Sequence, residues 1–103
     1  MIKIINGKRY NTETATEIAK YWNGLSTSDF RNVSEALYMS KKGSFFLCGS
    51  GGPMSKYSQP CGDMTGGGSD IIPLTKDEAY QWCERCASAD VIEQYFSDMI
   101  DDA

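Results

Sequence analysis

The chain has 103 residues, of which 41% are hydrophobic, and this length predicts one domain, spanning residues 1–103, with a modest core. Its net charge is −4 and it contains no histidine, which excludes Ser-His-Asp and Cys-His catalytic groups within the chain. No apolar run reaches the roughly 18 residues that a membrane span needs, and "MIKIINGKRY" lacks a signal-peptide core. We therefore expect a soluble, intracellular protein.

The first predicted element is a β-hairpin. In "IKIINGKRY", β-favouring residues flank Asn6-Gly7, a pair that accepts the positive φ angles of a type I′ turn. The next segment predicts a short amphipathic helix over residues 12–22, because its apolar residues recur at helical spacing and Asn23-Gly24 supplies a stop signal. The apolar stripe of this helix comprises Ala15, Ile18, Ala19 and Trp22.

A second hairpin is predicted over residues 34–40 and 44–49, with Gly43 in the left-handed position of its turn. In the second arm, "SFFLC", Phe45 and Leu47 face one side while Phe46 and Cys48 face the other. Because both sides are apolar, we expect this hairpin to be central in an antiparallel sheet that is covered on both faces.

Residues 49–69 contain seven of the ten glycines, which predicts mainly loop, with one short strand possible in "MSKYSQ". "DIIPL" predicts a strand that Pro73 ends. Thr75 with Glu78, and Asp90 with Glu93, have capping-box spacing and predict two C-terminal helices. The expected fold is α+β, with an antiparallel sheet of about four to six strands and three helices. The residues predicted to be buried are Ile4, Ile18, Trp22, Leu37, Phe45, Leu47, Ile72, Leu74, Trp82 and Phe96.

The stretch "FFLCGSGGPMSKY", residues 45–57, has the most distinctive local chemistry in the chain. It is not a phosphate-binding P-loop, since no Gly-Lys-Ser/Thr follows and Pro53 lacks an N–H. It also fails the dinucleotide fingerprint, because Met54 occupies the third glycine position. A wide turn or bulge after the central strand is the simplest interpretation, and a partner-facing loop is the alternative.

The four cysteines predict packing rather than chemistry. Cys83 and Cys86 share a helical face with Ala79 and Trp82, whereas zinc binding would need a second pair and redox activity would need the helix N-terminus. Neither Cys48 nor Cys61 completes a zinc pattern. Asp77-Glu78 and Asp101-Asp102 lack the context of a catalytic carboxylate pair. We therefore predict reduced, metal-free cysteines, no cofactor, no catalytic residues and no enzymatic activity.

Charge is unevenly distributed along the chain. Residues 1–58 carry +4, whereas residues 59–103 carry −8, and no base follows Ala89. The acidic end suits a basic protein surface, although a solubilising surface is the simpler reading. A second candidate surface is basic and comes from the second hairpin and the glycine segment, where it would contact RNA, although a solvated hairpin tip is the simpler interpretation in an acidic protein. The candidate partner-binding residues are Asp90, Glu93, Asp98, Asp101, Asp102, Lys41, Lys42 and Lys56.

Three stretches, "INGKRYNTETATEIA", "LYMSKKGSFFLCGSGGPMSKY" and "IIPLTKDEAYQWCE", together resemble small proteins of Gram-positive plasmids, phages and integrative elements. Some members of that group are anti-CRISPR proteins that inhibit the type II-A RNA-guided nuclease. The resemblance implies an inhibitor that binds this nuclease, and its guide RNA as a further contact, and blocks guide or target engagement. The alternatives are an accessory mobile-element protein that binds another defence or transfer component, and an enzyme acting on guide RNA.

Overall fold

A computed structural model describes residues 1–26, 28–62 and 64–103, and for Cys61 it describes the backbone alone. The fold is α+β, as predicted, with a four-stranded antiparallel sheet, two small two-stranded sheets and two C-terminal α-helices. The strands are β1 (Ile2–Ile5), β2 (Lys8–Asn11), β3 (Thr16–Trp22), β4 (Val33–Met39), β5 (Phe45–Gly51), β6 (Gln59–Cys61), β7 (Met64–Gly66) and β8 (Gly68–Leu74). The helices are α1 (Lys76–Cys86) and α2 (Ala89–Phe96), followed by a 3₁₀ turn at Ser97–Met99.

The β4–β5 hairpin forms the middle of the four-stranded sheet, whose order is β3-β4-β5-β8. Gly43 has a φ of +86° in the connecting turn, which is the left-handed conformation that the sequence predicts. Side chains alternate along β5 as predicted, because Phe45 and Leu47 belong to one buried cluster while Phe46 belongs to another. The sheet is therefore covered on both faces.

The N-terminal hairpin covers one of these faces. Asn6 and Gly7 have φ angles of 51° and 78°, so the predicted Asn-Gly turn is confirmed. The ring of Tyr10 from β2 packs edge-on against Phe46, with their centroids 5.4 Å apart. Together with Ile71 of β8, these two aromatic residues form a small buried cluster.

The predicted helix over residues 12–22 is wrong. Residues 11–15 form a turn in which Asn11 accepts a hydrogen bond from Glu13 N–H through its side chain, and strand β3 follows. The polar residues that suggested a helix cap thus cap a turn instead. Strand β3 pairs with β4 and contains a bulge between Glu17 and Ala19. Pairing with β3 supplies hydrogen-bond partners to the backbone groups along the edge of β4. These tertiary contacts therefore outweigh the helical spacing of the apolar residues in this segment.

Helices α1 and α2 cover the opposite face and enclose the larger core. Thr75 accepts a hydrogen bond from Glu78 N–H and the Glu78 side chain returns one to Thr75 N–H, so the predicted capping box is confirmed. The second predicted cap is wrong, because Ser88 precedes α2 and Asp90 lies inside its first turn. The core residues on this face are Leu37, Phe45, Leu47, Ala79, Trp82, Cys83 and Phe96.

Two of the predicted core residues are exposed. Ile4 is 66% exposed because it lies on the outer side of the N-terminal hairpin. Trp22 is 62% exposed because β3 is an edge strand, not a helix, and its indole N–H donates to the Leu25 carbonyl at 2.7 Å. Five predictions are confirmed as fully buried and three are partly buried. The buried residues are Leu37, Phe45, Leu47, Trp82 and Phe96, and the partly buried ones are Ile18, Ile72 and Leu74.

The glycine-rich region is more ordered than its composition predicts. Residues 59–66 contain the short β6–β7 hairpin, and β8 begins at Gly68. The possible strand in "MSKYSQ" is instead a turn. Pro73 lies within β8 rather than after it, which is tolerated because β8 is an edge strand and one N–H can be missing there. In the described ranges, no helix is both long enough and apolar enough to cross a membrane.

Candidate functional site

The glycines of "GSGGPMSKY" allow the chain to fold back closely over the end of the sheet. A Cβ atom at Gly49 would lie 1.9 Å from the Tyr57 hydroxyl, so a side chain at this position would displace the tyrosine ring. A Cβ at Gly52 would lie 2.6 Å from the backbone oxygen of Phe30. Backbone hydrogen bonds from Gly52 and Met54 to the segment before β4 hold the turn in place. Strand β5 thus extends to Gly51, and the predicted turn follows it, packed closely against the segment before β4.

This turn places two side chains against a buried carboxylate. Glu35 of β4 is 6% exposed and accepts a hydrogen bond from the Tyr57 hydroxyl at 2.5 Å. Its other oxygen accepts one from the Trp82 indole N–H at 3.2 Å. Lys56 forms an ion pair with it at 2.5 Å, although the lysine side chain is half-exposed. We call these four residues the Glu35 centre. It links the sheet, the glycine turn and helix α1.

The electrostatics of the Glu35 centre keep the carboxylate ionised. Burial alone would raise the pKa of Glu35, but the hydrogen bonds from Lys56, Tyr57 and Trp82 outweigh burial and lower the pKa below the ordinary glutamate value. Burial and the neighbouring carboxylate raise the pKa of Tyr57, which therefore keeps its proton. All buried polar side-chain atoms of the described residues have a hydrogen-bond partner.

These properties suit a structural role better than proton transfer. A general acid or base works best when its pKa lies near the ambient pH, and here the two pKa values are moved away from neutrality. A cleft of about 330 Å³ lies beside the centre, where Arg85 and Cys86 line it with Glu35 and Lys56. Glu35 was not among the residues predicted from the sequence. Its signal there is its position in "VSEALYM", where it lies on the same strand face as the apolar residues Leu37 and Met39.

The five predicted acidic residues lie in α2 or in the segment after it, and all five are exposed. Asp98 pairs with Lys76 at 2.7 Å, and this hydrogen bond lowers the pKa of the Asp98 carboxyl. The other four form no ion pair with a described residue: Asp90, Glu93, Asp101 and Asp102. Residues 75–103 contain eight acidic and two basic side chains, giving this helical layer a charge of −6.

The predicted basic residues separate into two places. Lys41 and Lys42 lie at the β4–β5 turn, where they line a cleft of about 430 Å³ with Lys8 and Arg9 of the N-terminal hairpin. Lys56 belongs to the Glu35 centre on the helical side instead. Lys8 and Arg9 were not among the predicted binding residues, because only the fold brings the two hairpin turns together. The one sequence feature that pointed toward them is the net positive charge of residues 1–58.

Two of the cysteines pack as the sequence predicts, and the third described one is partly buried on the hairpin side. Cys83 is a core residue and Cys86 packs beside it, and burial together with Cys86 raises the pKa of the Cys83 thiol to about 11. Burial likewise raises the pKa of Cys48. Such thiols are poor nucleophiles at neutral pH. The part of the chain that the structure describes contains no group of three potential metal ligands, and the Cys61 side chain lies outside that part.

Comparisons of the sequence and of the fold with protein families, curated proteins and solved structures found no match. The resemblance to anti-CRISPR proteins therefore stays a prediction that rests on the three quoted stretches.

Proposed function

We propose that the protein is a stoichiometric inhibitor of a type II-A RNA-guided nuclease in the bacterial cytoplasm. The observation that carries this proposal is the exposed acidic end of the helical layer, where four of five carboxylates have no cationic partner among the described residues. The resemblance of the three quoted stretches supplies the identity of the partner. The other candidate partner, a component of transfer or restriction, is an outcome of the experiment below.

The acidic end would act through electrostatic complementarity. RNA-guided nucleases hold guide and target nucleic acid in a positively charged channel. A helical segment of net charge −6, residues 75–103, would be attracted to that channel at long range and would compete there with phosphate groups. Inhibition would follow from occupation of the channel, so each protein molecule would block one nuclease molecule.

The Glu35 centre supports a binder over an enzyme that acts on guide RNA. The Glu35 carboxylate already accepts hydrogen bonds from the buried Tyr57 and Trp82 side chains and forms an ion pair with Lys56. A carboxylate so occupied is a weak general base, and its lowered pKa makes it a poor acid at neutral pH.

The experiment measures target cleavage by guide-loaded nuclease at increasing protein and salt concentrations. The variant D90N/E93Q/D101N/D102N should associate more slowly and inhibit less than the parent, and the parent should lose affinity as salt rises. D90N/E93Q is compared with E13Q/E17Q, which removes two exposed carboxylates outside the helical layer. Circular dichroism first confirms that each variant folds. Asp90 is not the N-cap of α2, so its replacement should leave the helix intact.

Three outcomes would contradict the proposal in different ways. Equal inhibition by the folded four-acid variant would remove the acidic surface as the contact. Inactivation of many nuclease molecules by one protein molecule would indicate an enzyme. Failure to co-purify with the nuclease, with or without guide RNA, would favour a different partner from a transfer or restriction system.

A further inference from the structure

Four cationic side chains from two separate hairpin turns line one cleft. Lys8 and Arg9 come from the start of β2, and Lys41 and Lys42 come from the β4–β5 turn. The cleft holds about 430 Å³ and its lining contains no aspartate or glutamate among the described residues. Since these positions are far apart in the sequence, only the packing of the first hairpin against the sheet brings the charges together.

These four side chains have no partner within the described part of the chain. None of them forms an ion pair or a side-chain hydrogen bond there, whereas Lys3, Lys20, Arg31, Lys56 and Lys76 each pair with a carboxylate. Four like charges in one cleft repel one another, so an anion that entered the cleft would relieve this repulsion. The hydroxyl groups of Ser40 and Ser44 in the same lining add hydrogen-bond donors for its oxygens.

The two turns are held firmly enough to present this set of charges. Ser40 and Ser44 exchange a backbone hydrogen bond of 2.8 Å, and the Ser40 hydroxyl accepts a second one from Ser44 N–H. The first turn is fixed by the positive φ angles of Asn6 and Gly7 and by the contact of Tyr10 with Phe46. The positions of the turns are thus defined, while the long side chains remain free to adjust.

The arrangement suits a row of phosphates better than a single one. A site for one phosphate typically uses backbone N–H groups of a nest or a helix N-terminus, which fix its position, and no helix contributes to this cleft. Four separate, flexible cationic side chains on two turns instead suit a nucleic-acid strand, whose negative phosphates are spaced along its backbone. Single strands adapt to such a surface more readily than duplexes, because their backbone can follow its curvature.

We propose that the cleft between the two hairpin turns binds the phosphodiester backbone of single-stranded nucleic acid. The site does not depend on the proposed inhibition of a nuclease, since it involves other residues and is tested with the protein alone. Its lining contains no acidic side chain among the described residues, which explains how a protein of net charge −4 can hold a polyanion there.

The experiment measures fluorescence anisotropy of a labelled single strand of about 12 nucleotides, within the usual site size, as RNA and as DNA. At physiological salt we expect a dissociation constant of about 1–100 µM, the usual range for non-specific binding through phosphates, and tighter binding at low salt. Four phosphate contacts predict that log K falls with log salt at a slope of about −3, and K41Q/K42Q should reduce the slope to about −1.5. K8Q/R9Q should have the same effect.

The matched control is K20Q/R85Q, which also removes two exposed positive charges but outside the cleft, and its slope should equal that of the parent. An equal loss in the control, or the absence of binding at low salt, would overturn the proposal. Displacement of the strand by micromolar pyrophosphate would indicate a single-anion site and would also overturn it. Preferential binding to vesicles that contain phosphatidylserine would assign the cleft to a membrane surface instead.

Discussion

The two faces of the central sheet are covered to different extents. The helical face buries a continuous core from β4 and β5 to α2, and it includes the buried charge of Glu35. The hairpin face buries three residues at one end, and beyond them lies an open cleft of about 590 Å³ beside Trp22 and Cys48. The two-sided apolar pattern of β5 thus predicts that both faces are covered, but it does not predict that one face buries a much larger cluster than the other.

The largest expected effect distinguishes the two tryptophans. Trp82→Ala should lower the free energy of unfolding by about 3–5 kcal/mol, because it leaves a cavity in the helical face and removes a donor from Glu35. Trp22→Ala should cost no more than about 1 kcal/mol, since this side chain is exposed. Urea unfolding followed by circular dichroism measures both values. Similar losses would show that the two faces contribute equally.

Trp82→Phe extends this comparison in case the alanine variant does not fold. It keeps most of the ring volume and removes the N–H that Glu35 accepts, so its loss should fall between those of the two alanine variants. A loss as small as that of Trp22→Ala would show that the indole hydrogen bond has little weight.

An intermediate effect is expected at Glu35. Glu35→Gln should lower the free energy of unfolding by about 1.5–3 kcal/mol at neutral pH, because the hydrogen bonds to a buried carboxylate are lost. The folded pKa of Glu35 is lower than its unfolded pKa. Its contribution is therefore complete above the ordinary glutamate pKa and disappears as the pH falls through the folded pKa.

The measurement is the difference in unfolding free energy between the parent and Glu35→Gln over a pH series from neutral to acid. Using a difference cancels the other carboxylates whose pKa is also lowered, Asp29, Asp70 and Asp98. The difference should shrink only below the ordinary glutamate range. A difference that is constant with pH would mean that the charge of Glu35 does not contribute to stability.

The smallest expected effect separates the two helices on the same face. Thr75→Ala should cost about 0.5–2 kcal/mol, because it removes half of the capping box of α1. Ser88→Ala is the matched control at α2, where the serine side chain forms no capping hydrogen bond, and it should cost much less. Thermal unfolding of both variants measures the difference. Equal losses would mean that the capping box of α1 adds nothing to its stability.

Much of the fold follows from local signals in the sequence. Asn6-Gly7 and Gly43 define two hairpins because few residues tolerate their positive φ angles, and Thr75 with Glu78 defines the start of α1. Strand β3 could not be predicted in this way. Its residues have helical spacing, and the choice between helix and strand depends on the free edge of β4, which is distant in the sequence.

The candidate sites were less predictable, because each one joins distant segments. The exposure of the acidic residues could be predicted, since they recur within one short stretch at the end of the sequence. The basic cleft could be predicted only in part, because Lys41 and Lys42 are a local pair while Lys8 reaches them through packing of the first hairpin. The Glu35 centre depends on the approach of Tyr57 over Gly49, and this contact has no local signature.

The two outer strands of the sheet carry features that oppose the addition of a further strand. Pro73 removes a hydrogen-bond donor from β8, and the bulge between Glu17 and Ala19 interrupts the regular spacing of donors and acceptors in β3. Lys20 adds an exposed charge to the same edge. Such edges resist amyloid-like self-association at high concentration, and they direct a partner toward side-chain contacts instead of β-augmentation.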